Sequence, residues 1–162
     1  MASERSRREQ AMALINRGLR AQQGGALEHA LELYRKSIEV LPTAEGHTYL
    51  GWALSYLDRL DDAIAHCQRA IELDPEFGNP YNDIGVYLMH KNRLVEAIPW
   101  LERAKVAARY EPRHFPYINL GRIYVEQGLL NQAIQEFTGA LMLVPDDESL
   151  REKIEELRAK LN

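Results

Sequence analysis

The chain of 162 residues holds one cysteine, Cys67, so no internal disulfide can staple it and a reducing compartment, the cytoplasm, is the expected setting. No run approaches the roughly 20 consecutive apolar residues that a membrane-spanning helix needs, so direct membrane insertion is not expected. Met1 through Gln10 is polar and lacks the apolar core of a secretory leader. An excess of positive charge is missing too. The net charge is −4, and the one basic cluster, Arg5, Arg7 and Arg8, is interleaved with Glu4 and Glu9. Gripping phosphate backbones takes clustered Lys and Arg, so nucleic acid is not an expected partner and this arm reads as solvated.

Catalytic and metal-binding constellations are equally scarce. The five histidines, His29, His47, His66, His90 and His114, are never three or four apart, as ligands sharing a helix face would be. Cys67 has no CxxC partner and reads as a small buried hydrophobe. The glycines are spread along the chain and form no phosphate loop. Asp61-Asp62 and Asp146-Asp147 each precede an expected helix and read as caps on exposed amides. No enzyme, metal or cofactor is expected. What remains is ordinary soluble material: 46% hydrophobic residues suffice for a core, and the length suits one domain.

The dominant signal is a repeat. Gly18, Gly51, Gly85 and Gly121 are spaced by 33, 34 and 36 residues. Twelve residues after each comes an alanine (Ala30, Ala63, Ala97, Ala133), and seven later Ser37, Ala70, Ala104 and Ala140. Tyr34, Cys67, Leu101 and Phe137 lie four residues after the first alanines. Pro42, Pro75 and Pro145 close three units 24 residues after the glycine; in the third unit Arg109 holds that place and the proline slips to Pro112. Small residues in register let two antiparallel helices cross closely, bulky ones fill the space between, and proline stops the second helix. The pattern predicts helix pairs at 5–23 and 27–40, 44–57 and 61–73, 78–91 and 94–109, and 114–127 and 130–143. A ninth helix is predicted at 147–161, whose Leu150, Ile154, Leu157 and Leu161 make one apolar stripe. Pro99 falls inside a predicted helix and should bend it mildly without ending it.

These residues resemble the tetratricopeptide repeat, with its W-x2-L-G-x2-Y, A-x3-F and P positions over 34 residues. The fourth unit matches most fully, with Tyr117, Leu120, Gly121, Tyr124, Ala133, Phe137, Ala140 and Pro145; the second carries Leu50-Gly51-Trp52, Ala63, Ala70 and Pro75. The first is weakest, with Arg17 before its glycine and Ser37 for alanine. The resemblance implies an all-α superhelix of four antiparallel hairpins with a C-terminal capping helix. Its expected parts are a polar arm at 1–10, frayed or extending the first helix, repeats at 11–43, 44–77, 78–113 and 114–147, and a cap at 148–162 that shields the terminal apolar face.

It also implies a concave groove lined by the first helix of each hairpin. On that register the groove carries Met12, Ile15 and Leu19, then Glu45, Thr48 and Trp52, then Asn79, Asn82, Val86 and Met89, and finally Phe115, Ile118, Arg122 and Val125. The set is rich in apolar side chains, as interaction patches are. Ile15 and Leu19 stand where the co-chaperone branch of the family carries a Lys and an Asn to clamp a C-terminal carboxylate, which disfavours a heat-shock tail. Arg122 and the Asn79–Asn82 pair are left to hold a main chain or one acidic group. The expected function is a non-catalytic adaptor, scaffold or chaperone that takes an apolar or amphipathic segment of a partner protein. The alternative is a scaffold that self-associates through the groove or an end helix. A segment of a longer repeat array would carry the same signals.

Overall fold

Small residues bring the helices of each pair into contact. In the computed structural model, which describes all 162 residues, nine helices follow one another: α1 (Glu4–Gln23), α2 (Leu27–Val40), α3 (Ala44–Ser55), α4 (Leu60–Leu73), α5 (Asn79–His90), α6 (Leu94–Val106), α7 (His114–Glu126), α8 (Leu130–Leu143) and α9 (Glu148–Leu161). The chain is an all-α superhelix of helical hairpins. Each glycine of the repeat faces the bulky residue sixteen positions on. A Cβ at Gly121 would lie 2.7 Å from the Phe137 ring, and one at Gly18 would strike Tyr34; at Gly85 it would run into Leu101. At Gly51 it would meet the Ala63 carbonyl oxygen at 2.9 Å. Ser37, the odd residue of the alanine column, is buried with its hydroxyl donating to the Ala11 carbonyl at 2.9 Å, so the polar atom is satisfied.

The turn inside each hairpin uses one device four times. Gly25, Asp58, Asn92 and Gly128, each seven residues after a repeat glycine, have positive φ between 56° and 83°. The next residue then donates back to the helix, as in Ala26 N to Ala21 O at 2.8 Å and Leu129 N to Tyr124 O at 2.8 Å. Glycine, aspartate and asparagine are the residues that tolerate this left-handed geometry best.

α6 ends at Val106, three residues before its predicted stop, because the third repeat does not end like the others. Ala107–Arg113 forms an extended linker that pairs with the preceding one: Gly78 N donates to Arg109 O at 2.8 Å, and Arg109 N to Glu76 O at 3.0 Å. A side chain on Gly78 would collide with Tyr110, so this glycine serves linker packing and lies outside the repeat pattern. Arg113 donates to the carbonyls of Lys105 (2.6 Å) and Ala107 (2.8 Å), supplying partners to the end of α6. α6 runs on through Pro99 without a break.

Two termini show how local chemistry sets helix ends. Ser3 accepts from Ser6 N at 3.1 Å and starts α1, and Asp147 accepts from Leu150 N at 3.0 Å and starts α9. The Asp61-Asp62 pair does not cap: it sits in the first turn of α4, whose N-cap is Arg59 with no side-chain hydrogen bond. Asp61 instead pairs with Lys91 of the next hairpin at 2.7 Å, and Asp62 with Arg59 at 2.8 Å. Leu150, Ile154 and Leu157 of α9 are buried with Phe137 and Ala140 of α8, while Leu161 at the helix's free end is exposed.

Candidate functional site

The first helices of successive hairpins touch, α1 with α3, α3 with α5 and α5 with α7, and so present one continuous face. The residues expected there divide into three groups. Met12, Leu19, Val86 and Met89 are half-buried on the edge of the main core, and Ile118 and Val125 lie likewise on the C-terminal core. Ile15 corrects the expectation: it is 1% exposed inside the main core and out of a partner's reach. Thr48 is 2% exposed, with its hydroxyl donating to the Ala44 carbonyl at 2.7 Å; Asn82 is buried and accepts from the Asn119 amide at 3.0 Å. The Thr48 bond closes within α3, and the Asn82 bond ties α5 to α7.

The third group converges. Trp52, Asn79 and Phe115 line a cleft of about 260 Å³ with Tyr49, Asp83, Tyr110 and Pro112, its floor completed by Thr48 and Asn82. Trp52 stands edge-on to Tyr49 at 6.5 Å and to Tyr56 at 5.7 Å, and Phe115 is 45% exposed. The irregular linker after α6 supplies Tyr110 and Pro112. The slip in the third repeat therefore builds one wall of the cleft. A second cleft, of about 460 Å³, shares Tyr49, Asn79 and Tyr110 with it and continues to Glu45, Phe77 and Glu111. Glu45 lies 3.6 Å from Arg8 of α1.

Arg122 and Ile118 are not part of this convergence. They line a separate cleft against α9, beside Glu152, Lys153 and Glu156. Arg122 is exposed there, and Asn82 of the Asn79–Asn82 pair is engaged by the Asn119 amide.

The residue that sequence reasoning passed over is Asp83. It follows Asn79 by four positions, so the two share a helix face. Burial pushes its carboxyl up to about 7, partly offset by the Asn82 side chain, and no cation of the chain acts on it. The same carboxylate raises the neighbouring phenols of Tyr49, Tyr87 and Tyr110 and the Cys67 thiol, although burial is the larger cause for each. The signal that could have found it was an acid within a first helix, followed by the apolar residues Ile84 and Val86.

A second pair appears only in three dimensions. His47 of α3 and His66 of α4 meet with Nδ1 atoms 2.9 Å apart and rings stacked at 5.2 Å. Burial, then His66, then Arg69, lower His47 to about 4; His66 is lowered chiefly by burial. Two neutral imidazoles sharing one proton link the helices, and no group of three metal-ligating side chains is present. Cys67 is buried with its thiol held well above its ordinary value, so it stays protonated and packs.

Comparison with known proteins places this geometry. A family model described as tetratricopeptide repeat matches residues 44–77, and another of the same description matches 116–147. The small glutamine-rich tetratricopeptide repeat-containing protein 2 of Mycosarcoma maydis is 33% identical over 91 residues, 56% of this chain; the chain spans a quarter of that protein's length. The structure of Pseudomonas aeruginosa pilF superposes with a TM-score of 0.88 at 26% identity, over 95% of this chain and 70% of that one. YrrB, described as a TPR protein with an unusual peptide-binding site, shares the fold at a TM-score of 0.67 and 20% identity, over 93% of this chain and 77% of that one. No helix is long and apolar enough to cross a membrane.

Proposed function

Since the chain is a tetratricopeptide-repeat protein, and the fold is that of a protein–protein interaction module, we propose that it is an adaptor or chaperone that seats an apolar or amphipathic segment of a partner on the face of its first helices. The observation that carries this reading is the cleft at the centre of that face, where Trp52 and the exposed Phe115 flank Asn79. Aromatic side chains in a partly desolvated pocket supply most of the affinity of typical interfaces, and an amide beside them can hold a main chain. Met12, Leu19, Val86 and Met89 extend the apolar surface along α1 and α5. An apolar anchor on the partner would enter the cleft, and neighbouring side chains would lie along these residues.

The test is selection of a displayed library of random dodecapeptides on the full chain, followed by anisotropy titration of the selected peptides. Trp52→Ala should weaken binding at least ~5-fold, the equivalent of about 1 kcal/mol. Unchanged affinity in a Trp52→Ala/Phe115→Ala variant that keeps the wild-type melting temperature would remove the groove from the account. Sedimentation of the free chain covers the other occupant: association abolished by the same double substitution would place a second copy there.

A further inference from the structure

The cleft contains a charge that an apolar ligand does not need. Asp83 is half-buried and lines the cleft together with Trp52, Tyr49, Tyr110 and Phe115. Holding a carboxylate away from bulk water is costly unless a cation or several donors compensate it. The chain's own cations near the cleft are committed elsewhere. Arg8 lies by Glu45 at 3.6 Å, Arg109 pairs with Asp74, and Arg113 donates to the carbonyls of Lys105 and Ala107. Among the residues that line the cleft itself, Asp83 is the one acid and no basic side chain accompanies it.

Resting on the groove reading above, we propose that the Asp83 cleft seats one basic side chain, lysine or arginine, of the partner segment. The carboxylate supplies a charge-assisted hydrogen bond inside a partly desolvated pocket, where such bonds are strongest. Trp52, Tyr49 and Phe115 supply aromatic surface that a cation and its aliphatic stem both favour. At about 260 Å³ the cleft takes one long side chain, while a whole helix, ~10 Å across, is too broad. The partner therefore lies along the first helices and lowers a single residue between α3 and α5. A divalent metal ion is a poorer occupant, because one carboxylate with no second acid, histidine or thiolate beside it makes a weak ligand set. The polarity is opposite to that of a clamp for a terminal carboxylate.

The same display selection supplies the probe. Selected dodecapeptides should share one Lys or Arg beside apolar residues. Synthetic versions with norleucine at that place should bind the wild-type chain at least tenfold more weakly. Asp83→Asn should lose the same factor for the basic peptide and leave the norleucine peptide unchanged, a coupling that general weakening of the fold does not produce. The peptide substitution is read on the unaltered protein, so the result does not depend on how the variant folds. Trp52-dependent binders without a shared basic residue, or equal affinity of Asp83→Asn for the basic peptide, would overturn the cation seat and leave the groove standing. Absence of any Trp52-dependent binder would overturn both.

Discussion

Asp83→Asn should stabilise the free protein, by an amount that grows from about pH 4 and is complete above about pH 7. Burial raises the carboxyl from 3.8 to about 7. At 1.36 kcal/mol per pH unit, that difference corresponds to a ceiling of roughly 4 kcal/mol acting against the ionised folded state. Water in the cleft reaches the carboxylate and reduces the figure, so about 1–2 kcal/mol is expected. The direction follows from proton counting. Between pH 3.8 and about 7 the folded state holds a proton that the unfolded chain has released, so stability falls as pH rises through this window. The titratable groups that Asp83 acts on are Tyr49 from α3, Cys67 from α4, Tyr87 from α5 and Tyr110 from the linker. Every phenol and the thiol among them is shifted upward, which leaves Asp83 to titrate alone. Asparagine keeps the shape and carries no charge. Thermal unfolding by circular dichroism at pH 8 should show the variant about 2–8 °C above wild type, at the ~2–4 °C per kcal/mol usual for a chain of this size. The advantage should shrink steadily toward pH 4. A variant equally stable with wild type at both pH values, or less stable at pH 8, would refute the reasoning. Gain of stability with loss of a basic ligand would mark a residue kept for binding at the fold's expense.

Three further outcomes follow from the packing. Gly121→Ala places a Cβ against the buried Phe137 ring, so despite alanine's better helix propensity it should lose about 1–2 kcal/mol in urea unfolding. Removing the His47–His66 pair through His47→Phe should flatten a specific acid loss. Because His47 is lowered to about 4 when folded, wild type keeps this contribution above pH 6.5 and loses it as pH falls toward 4, by on the order of 1–2 kcal/mol. The comparison is cleanest in an Asp83→Asn background, since Asp83 titrates with the opposite sign over much of the same range. Asp58→Gly, at φ 56° in an exposed turn, should raise stability by roughly 0.5 kcal/mol, whereas Gly128→Ala at φ 74° should lower it by a similar or larger amount in the same urea assay.

The repeat was legible because helix crossing depends on side-chain size, and size is written in the sequence. Gly18 with Tyr34, Gly85 with Leu101 and Gly121 with Phe137 each report one crossing, and each crossing is present. Where the pattern slipped, legibility ended. The replacement of proline by Arg109 announced an irregular connection, but its course depends on Gly78 admitting Tyr110 and on backbone pairing with a linker some thirty residues away. The register of the first helices likewise placed Trp52 and Phe115 on an open face, yet it could not tell Ile15, which neighbouring side chains close over, from Met12, which stays at the edge.

By itself, then, the chain's order of small and large residues determined the hairpins, their number and their stacking, because these are set by neighbours at fixed helical spacing. Only the tertiary structure decided what the shared face offers a partner. Asp83 becomes a half-buried acid in a cleft because α3, α5 and the linker after α6 surround it, and His47 meets His66 because two antiparallel helices carry them to the same level. Burial and charge pairing are properties of surroundings drawn from distant parts of the chain, and no local pattern encodes them.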